Sequence, residues 1–258
     1  MLLLLPPSET KRDGGDGPAL QLAELRYPEL STRRRAVIRS LTGLARDPAA
    51  SMKALKISAR QTAEVERNRA ITTSPTMPAI DRYTGVLFDA LDSATLPAEA
   101  RARAAGGVVV QSALLGPVGG MDAIPAYRLS HDSRLHGLPL KAQWSEAAGR
   151  VISAEGGLIL DLRSQGYAAL GPLAPGADRR YLRVVTRGSD GVARALNHFN
   201  KSAKGVLARA LLRESREITS VQDLLDWAEE SGVELVEGAP GELDLVVPPG
   251  PWRLDDGA

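Results

Sequence analysis

Basic side chains recur at helical spacing near the end of the sequence, in the stretch HFNKSAKGVLARALLRESR at residues 198–216. At about 100° per residue, five of them fall within half of the helix circumference: Lys201, Lys204, Arg209, Arg213 and Arg216. Small and apolar residues fill the other half, so a helix packed by that stripe would expose a cationic face suited to phosphate groups. The alternative is a solvated amphipathic helix whose Lys and Arg serve solubility, although Glu214 is the single acid in this stretch.

Polar residues also follow two apolar runs that have the pattern of buried strands. The first group is Ser8, Glu9, Thr10 and Lys11, after MLLLLPP, and the second is Asp161, Arg163, Ser164 and Tyr167, within LILDLRSQGY. Ligands of open α/β sheets bind beyond the carboxyl ends of strands, so both groups are candidates for a site at the sheet edge. The alternative is that both are ordinary polar loops.

The motifs of several other chemistries are missing from the sequence. The chain has no cysteine, which excludes disulfides, thiolate nucleophiles and cysteine-ligated clusters. Its histidines, His131, His136 and His198, lack the helical spacing of metal ligands, and zinc or iron sites usually need several convergent ligands. There is no P-loop, dinucleotide glycine fingerprint, nucleophile elbow or kinase motif set. The sequence therefore predicts no metal site and no cofactor.

The N-terminal stretch MLLLLPPSETK contains the first element that must position these residues. Its run of leucines is shorter than the roughly 7–15 apolar residues of a signal sequence and the roughly 20 residues of a membrane helix. We therefore expect a strand buried on both faces, a cytoplasmic protein and no membrane partner. With 258 residues, 43% apolar residues, 24% charged residues and a net charge of +1, the composition is that of an ordinary globular protein.

The remaining pattern predicts helices in the first part of the chain and more strands in the second. The strands include a hairpin over residues 181–199 that turns at 188–191, and a closing hairpin made by VELVEG and GELDLVV. We predict an α/β (α+β) fold with one compact domain over residues 1–258 and a mixed β-sheet surrounded by helices. The helix-rich part would cover residues 19–105 and the strand-rich part residues 106–250.

Several stretches, in this order along the chain, resemble a known family. They are PPSETK after the first apolar run, YTG at residues 83–85, SALLGPVGGMDAIPAYRL at 112–129, LKAQW at 140–144, LILDLRSQGY at 158–167 and HFNKSAKGVLARALL at 198–212. Together they make the chain similar, over almost its whole length, to the bacterial peroxide stress protein family called YaaA. The chain departs from the family's usual serine–proline–alanine–lysine start, because its nearest lysine, Lys11, lies two positions later.

The resemblance implies a cytosolic domain with a mixed sheet and a basic cleft. It also implies a role in surviving hydrogen peroxide by limiting free intracellular iron. Family members are further described as binding bent or branched DNA through the cleft and a helix-hairpin-helix-like element. The residues that correspond to the family's motifs are Lys201, Lys204 and Gly205 for its lysine–x–x–lysine–glycine stretch, Tyr127 and Arg128 for its tyrosine–arginine pair, and Trp144 for its motif tryptophan.

Two functions from different classes remain open. The first is a non-enzymatic stress protein, expected to be a monomer, that binds DNA through Lys201, Lys204, Gly205, Arg209 and Arg213. The second is an enzyme or binding protein for a small phosphorylated or anionic ligand at the sheet edge, and it would need Tyr127 and a lysine within hydrogen-bond reach. Its pocket residues would be Ser8, Lys11, Tyr83, Tyr127, Arg128, Trp144 and Arg163. A deep pocket shared by the first-strand residues and the Lys201 region would favour the second function, and a long open basic groove the first.

Overall fold

A mixed β-sheet runs through the centre of the protein in a computed structural model that describes residues 1–187, 193–195 and 199–254. Over these residues the strands are β1 (Leu2–Leu5), β2 (Met77–Pro78), β3 (Val108–Ser112), β4 (Gly116–Gly119), β5 (Ala123–Ile124), β6 (Ile159–Asp161), β7 (Arg179–Arg187), β8 (Ala193–Ala195), β9 (Leu235–Glu237) and β10 (Glu242–Val246). The main sheet has the order β4-β3-β1-β6-β7-β10-β9, and β8 pairs with β7. β2 and β5 form a separate two-stranded sheet.

The N-terminal strand lies in the middle of the main sheet. β1 pairs in parallel with β3 on one side and with β6 on the other. β6, β7 and β10 continue the parallel series, whereas β4, β8 and β9 run antiparallel to their neighbours. All four leucines of β1 are buried. The abrupt apolar run that opens the sequence is therefore a central strand covered on both faces, as predicted.

The helices account for much of the remaining chain and cover the sheet. Over the described residues they are α1 (Ser31–Leu44), α2 (Pro48–Leu55), α3 (Ala63–Arg69), α4 (Ala79–Arg82), α5 (Val86–Leu91), α6 (Ala98–Gly107), α7 (Leu140–Ser153), α8 (Gln165–Ala168), α9 (Asn200–Arg213) and α10 (Val221–Glu230). The predicted α/β class, with one compact domain and a mixed sheet among helices, is confirmed. In the described part of the chain, none of these helices is both long and apolar enough to cross a bilayer.

Both predicted hairpins contribute strands to the C-terminal half of the sheet. β9 and β10 pair antiparallel and form the closing hairpin. β7 and β8 also pair antiparallel, while the predicted turn at residues 188–191 and His198 lie outside the described residues. β7 also pairs in parallel with β6 and with β10, so it is an interior strand of the sheet. It is longer than β6 and extends past the end of that strand.

α9 packs against α5, α6 and β7. Its approach to α5 depends on Gly205, since a Cβ atom there would lie 2.2 Å from the carbonyl oxygen of Leu87 and 2.8 Å from the Cβ of Ala90. Those distances are too short for any side chain, so the glycine sets how closely the two helices meet. This contact places the first turns of α9 above β7, next to the carboxyl end of β6.

Candidate functional site

The carboxyl end of β6 opens into a cavity of about 1040 Å³. β6 ends at Asp161, which is in register with Tyr181 of β7, whereas β7 continues to Arg187. The short strand therefore leaves a crevice between the segment after β1 and the second half of β7. β1 has β3 on one side and β6 on the other, so the connections that follow neighbouring strands leave the sheet in different directions at this edge. Ligands of open α/β sheets usually bind at such a point, beyond the carboxyl ends of the strands.

Residues from distant parts of the sequence line this cavity together. They are Ser8 and Glu9 from the segment after β1, Ser164 and Tyr167 from the segment after β6, and Lys201 and Lys204 from the first turns of α9. First-strand residues and the Lys201 region thus share one partly open cavity. A shared cavity of this kind is one of the two features expected of a small-ligand site, the other being depth.

Lys204 places a buried ammonium group on the cavity wall. The residue is 5% exposed, and its Nζ atom lies 5.4 Å from the centre of the Tyr181 ring. Over the described residues this ammonium group has no hydrogen-bond acceptor. Burial lowers the pKa of Lys204 to about 8, and the nearby charge of Asp161 opposes this change. A largely buried cation that has no acceptor in the described part of the protein favours an incoming anion.

Both carboxylate oxygens of Asp161 accept hydrogen bonds from Arg163, so Asp161 does not pair with Lys204. Arg163 Nη2 lies 2.6 Å from Asp161 Oδ2, and Arg163 Nε lies 2.8 Å from Asp161 Oδ1. Arg163 is fully buried and also donates a hydrogen bond to Gln111 Oε1 at 3.2 Å. Arg163 was predicted as a pocket residue, but it does not line the cavity; it holds the carboxylate that lies near Lys204.

The predicted cationic face of α9 does not form as one surface. Lys204 and Gly205 are buried, and Arg209 donates hydrogen bonds of 3.1 and 3.0 Å to two main-chain carbonyl oxygens at the end of α5. Arg213 lies beside a second cavity of about 640 Å³. The helical projection assumed a single buried stripe, whereas α5, α6 and β7 all pack against α9. Lys201 remains exposed and lines the main cavity.

Four other predicted pocket residues meet behind the segment after β1: Lys11, Tyr83, Tyr127 and Arg128. Lys11 Nζ donates hydrogen bonds to the carbonyl oxygens of Ser8 at 2.9 Å and Glu9 at 3.3 Å. Arg128 Nη2 lies 2.6 Å from Glu9 Oε2. These contacts fix the segment that forms one wall of the cavity. The cluster therefore positions the wall, and only Ser8 of the predicted pocket residues lines the cavity itself.

The Tyr127 hydroxyl does not reach a lysine, although acid–base chemistry at this site would need a lysine within hydrogen-bond distance of it. It shares hydrogen bonds with the Tyr83 hydroxyl at 2.8 Å and with Ser112 Oγ at 2.7 Å. The ammonium group of Lys11 lies instead over the Tyr127 ring, 4.1 Å from its centre, in a cation–π contact. Burial raises the pKa of both Tyr83 and Tyr127 above 10, so both stay neutral at physiological pH.

Replacing Lys11 with methionine is expected to flatten the pH dependence of stability. Burial lowers the pKa of Lys11 from 10.5 to about 7 in the folded protein. Between these values the unfolded chain binds more protons than the folded protein, so Lys11 makes the free energy of unfolding rise with pH, by at most about 1.4 kcal/mol per unit. Denaturant titrations between about pH 7 and 9 should show a steeper rise for the wild type, and equal slopes would contradict this.

Trp144, predicted as a pocket residue, lies in the core. Its side chain on α7 is completely buried, and Nε1 donates a hydrogen bond to the carbonyl oxygen of Ala113 at 2.9 Å. The ring packs against Gly116, where a Cβ atom would approach Trp144 Cζ3 to 2.7 Å. Trp144 therefore fixes α7 onto the turn after β3 and takes no part in lining the cavity.

Three aromatic residues that the sequence did not identify as pocket residues line the cavity: Phe88, His131 and Tyr181. His131 packs edge-on against Tyr167 with ring centres 4.9 Å apart, and Tyr181 faces Lys204. The alternating pattern of β7 could have indicated Tyr181, but the loop position of His131 depends on tertiary packing that leaves no sequence signal. Over the described residues, no three His, Asp or Glu side chains converge as a metal site would require.

Comparisons with known proteins agree with one another. The family model described as peroxide stress protein YaaA matches residues 1–236. A UPF0246 protein of Corynebacterium glutamicum strain ATCC 13032 is 41% identical over 255 residues, covering 96% of this chain and 100% of the relative. A UPF0246 protein of Corynebacterium efficiens is 42% identical over 254 residues with the same coverage. One from Streptomyces coelicolor is 38% identical over 264 residues, covering 99% of this chain and 97% of the relative.

Proposed function

Because the chain belongs to the peroxide stress protein YaaA family, we propose that it serves the peroxide stress response by binding a small anionic ligand in the cavity at the end of β6. One observation carries this proposal: the segment after β1 and the Lys201 region share a single cavity of about 1040 Å³. Pockets for small ligands typically measure roughly 300–1,000 Å³, so this volume suits a ligand of metabolite size.

The charges on the cavity wall favour an anion. Arg183 is already paired with Glu242, with Nη1 and Oε2 3.0 Å apart, and Glu9 is paired with Arg128. Lys201 and Lys204 also line the cavity, and neither forms an ion pair within the described part of the chain. In a partly enclosed site, ammonium groups attract a phosphate or carboxylate more strongly than they do in water.

Replacing Lys204 with glutamine is expected to weaken the binding of inorganic phosphate about tenfold or more, since a hydrogen bond to a charged group is worth about 1.5–3 kcal/mol. Isothermal titration calorimetry with phosphate and pyrophosphate measures this directly. Because the Lys204 ammonium group has no acceptor among the described residues, its loss should leave the fold intact, which thermal unfolding checks. Lys141→Gln is the matched control, since Lys141 is an exposed lysine on α7 outside the cavity. Equal phosphate affinity of the Lys204→Gln variant and the wild type would overturn the proposal.

Duplex DNA is the second candidate ligand, because Lys201 is exposed where it lines the cavity and a backbone phosphate can reach it from outside. The same variants separate the two functions. DNA binding would depend on Lys201 far more than on the buried Lys204, and its logarithmic affinity would fall with salt by about 0.9 per neutralised phosphate. A mobility-shift titration with a branched duplex that responds to Lys201→Gln but not to Lys204→Gln would favour DNA. The lowering of free iron that the resemblance implies stays a prediction.

A further inference from the structure

Lys204 differs from the other lysines in the surroundings of its amine. The chain has six lysines, and the four exposed ones are Lys53, Lys56, Lys141 and Lys201. The remaining two, Lys11 and Lys204, are buried. Lys11 donates hydrogen bonds to two carbonyl oxygens and lies outside the cavity lining. Lys204 is thus the one buried lysine whose amine meets the cavity without an acceptor among the described residues.

Burial in the cavity wall, with no hydrogen-bond acceptor in the part of the chain that the structure describes, favours a Lys204 amine that can give up its proton. The nearest carboxylate, Asp161, is held on both oxygens by Arg163. The Tyr181 ring, whose centre lies 5.4 Å from Lys204 Nζ, makes a cation–π contact and gives the ammonium hydrogens no strong acceptor. The resulting decrease in pKa to about 8 leaves a usable fraction of neutral amine near neutral pH. Lysines activated in this way, by removal from water, are the ones that proteins use as nucleophiles toward carbonyl groups.

We propose that Lys204 is a nucleophile that condenses with the carbonyl carbon of a small anionic aldehyde or ketone bound in the cavity. The inference rests on the proposed function for the anionic part of the ligand and adds a covalent step to it. Lys201 precedes Lys204 by three residues, or about 4.5 Å along the helix axis. If Lys201 binds the anionic group of the ligand and Lys204 meets its carbonyl, these two groups of the ligand must be only a few bonds apart. Glycolaldehyde phosphate has this spacing.

The step needs no oxidant or reductant. Lys204 first loses its proton to solvent, and its nitrogen lone pair then forms a bond to the carbonyl carbon while the carbonyl π pair moves to oxygen. Proton transfer from nitrogen to oxygen gives a carbinolamine. Protonation and departure of the hydroxyl group as one water molecule then leave the C=N bond of an imine. Aldehydes are also common products of oxidative damage to sugars, so ligands of this class are consistent with a peroxide stress protein.

Reductive trapping tests the inference. Full-length protein is incubated with glycolaldehyde phosphate and sodium cyanoborohydride, which reduces an imine to a stable secondary amine, and peptide mass spectrometry locates the modified lysines. We expect most of the adduct on Lys204, with its yield suppressed by excess inorganic phosphate and lower with unphosphorylated glycolaldehyde. Lys204→Arg should lose this adduct completely while it keeps a cation and therefore phosphate binding by calorimetry.

The other lysines serve as internal controls in the same sample. Labelling that follows exposure, on Lys53, Lys56, Lys141 and Lys201, would overturn the inference. Equal labelling of Lys11 and Lys204 would also overturn it, because burial alone would then explain the reactivity. An unlabelled Lys204 in a protein that still binds phosphate through Lys204 would reject the covalent step and leave the proposed function standing. Absence of phosphate binding in the wild type would instead reject the proposed function.

Discussion

Replacing Trp144 with alanine is expected to lower the free energy of unfolding by about 3–5 kcal/mol. The indole is completely buried, and its removal would leave an empty space next to Gly116, because a glycine has no side chain to fill it. The carbonyl oxygen of Ala113 would also lose its hydrogen bond from Nε1. Since whole domains are stable by only about 5–15 kcal/mol, this loss is a large fraction of the total. Guanidinium titration followed by far-ultraviolet circular dichroism measures it.

Trp144→Phe is the control for this change, because it keeps a ring against Gly116 and removes only the N–H donor and part of the volume. Its loss of stability should be clearly smaller than that of Trp144→Ala. Phosphate affinity, measured where the variants are still folded, should not change, because Trp144 does not line the cavity. A loss below about 1 kcal/mol for Trp144→Ala, or a specific loss of phosphate affinity, would contradict a core role.

Part of the cavity wall could be predicted from the sequence, because strand pattern shows which polar residues emerge at the carboxyl end of a strand. Four buried leucines closed by two prolines indicate a short interior strand, and the polar residues after it must then emerge at its carboxyl end. The same argument applies to the strand within LILDL, which ends at Asp161. Parallel pairing of these two strands brings Ser8 and Ser164 to one edge. This pairing is a long-range contact, which the pattern of each strand does not give.

The surroundings of α9 could not be predicted in the same way. A helical projection divides residues into two faces, but it does not show how many neighbours pack on the helix. Lys204 falls on the polar side of the projection and yet is 5% exposed, because β7 covers that side. Gly205 carried a usable signal, since a glycine inside a helix often marks a close approach to another backbone. Its close contact with α5 holds α9 against the fold. Of the five cations of the predicted face, only Lys204 is buried, whereas Lys201 and Arg216 stay exposed.

Hydrogen-bonding detail at helix ends was also missed. The spacing of Thr219 and Gln222 predicts a capping box, whereas Ser220 is the N-cap and Asp223 completes the box. The Asp223 carboxylate accepts hydrogen bonds from the main-chain N–H groups of Thr219 and Ser220 and from the Thr219 hydroxyl. These hydrogen bonds lower the pKa of Asp223 to about 2. Both pairs fit the spacing of the motif, and local geometry decides between neighbouring hydroxyl residues.

Buried arginines were harder still to place from sequence. Arg34 lies in the basic run STRRRAV, which reads as an exposed helix start, yet its side chain is fully buried. Its guanidinium group donates hydrogen bonds to the carbonyl oxygens of Leu115, Tyr27, Arg26 and Pro117. Such a site depends on carbonyl groups from two distant segments that converge only after folding. Arg163 differs, because its charge suggested a ligand and yet its main partner is the buried carboxylate of Asp161, only two residues earlier in the sequence.

Replacing Arg163 with leucine is expected to destabilise the protein by about 3–5 kcal/mol, the usual cost of removing one partner from a buried ion pair. Both residues are almost completely buried, so the carboxylate of Asp161 would lose its two short contacts, of 2.6 and 2.8 Å, without access to water. The loss would come from this uncompensated charge more than from the missing arginine contacts. Denaturant titration of the single variant measures the total.

The double variant Arg163→Leu/Asp161→Asn separates the charge from the packing. If the uncompensated carboxylate is the main cost, the double variant should be more stable than Arg163→Leu alone, and the two single losses should not add. Additive losses would contradict this account. In Arg163→Leu, the unpaired charge of Asp161 also attracts the Lys204 ammonium group at longer range and so opposes the binding of an incoming anion. Phosphate affinity should therefore fall in Arg163→Leu and recover in the double variant. An unchanged affinity in Arg163→Leu would show that the charge of Asp161 does not affect anion binding in the cavity.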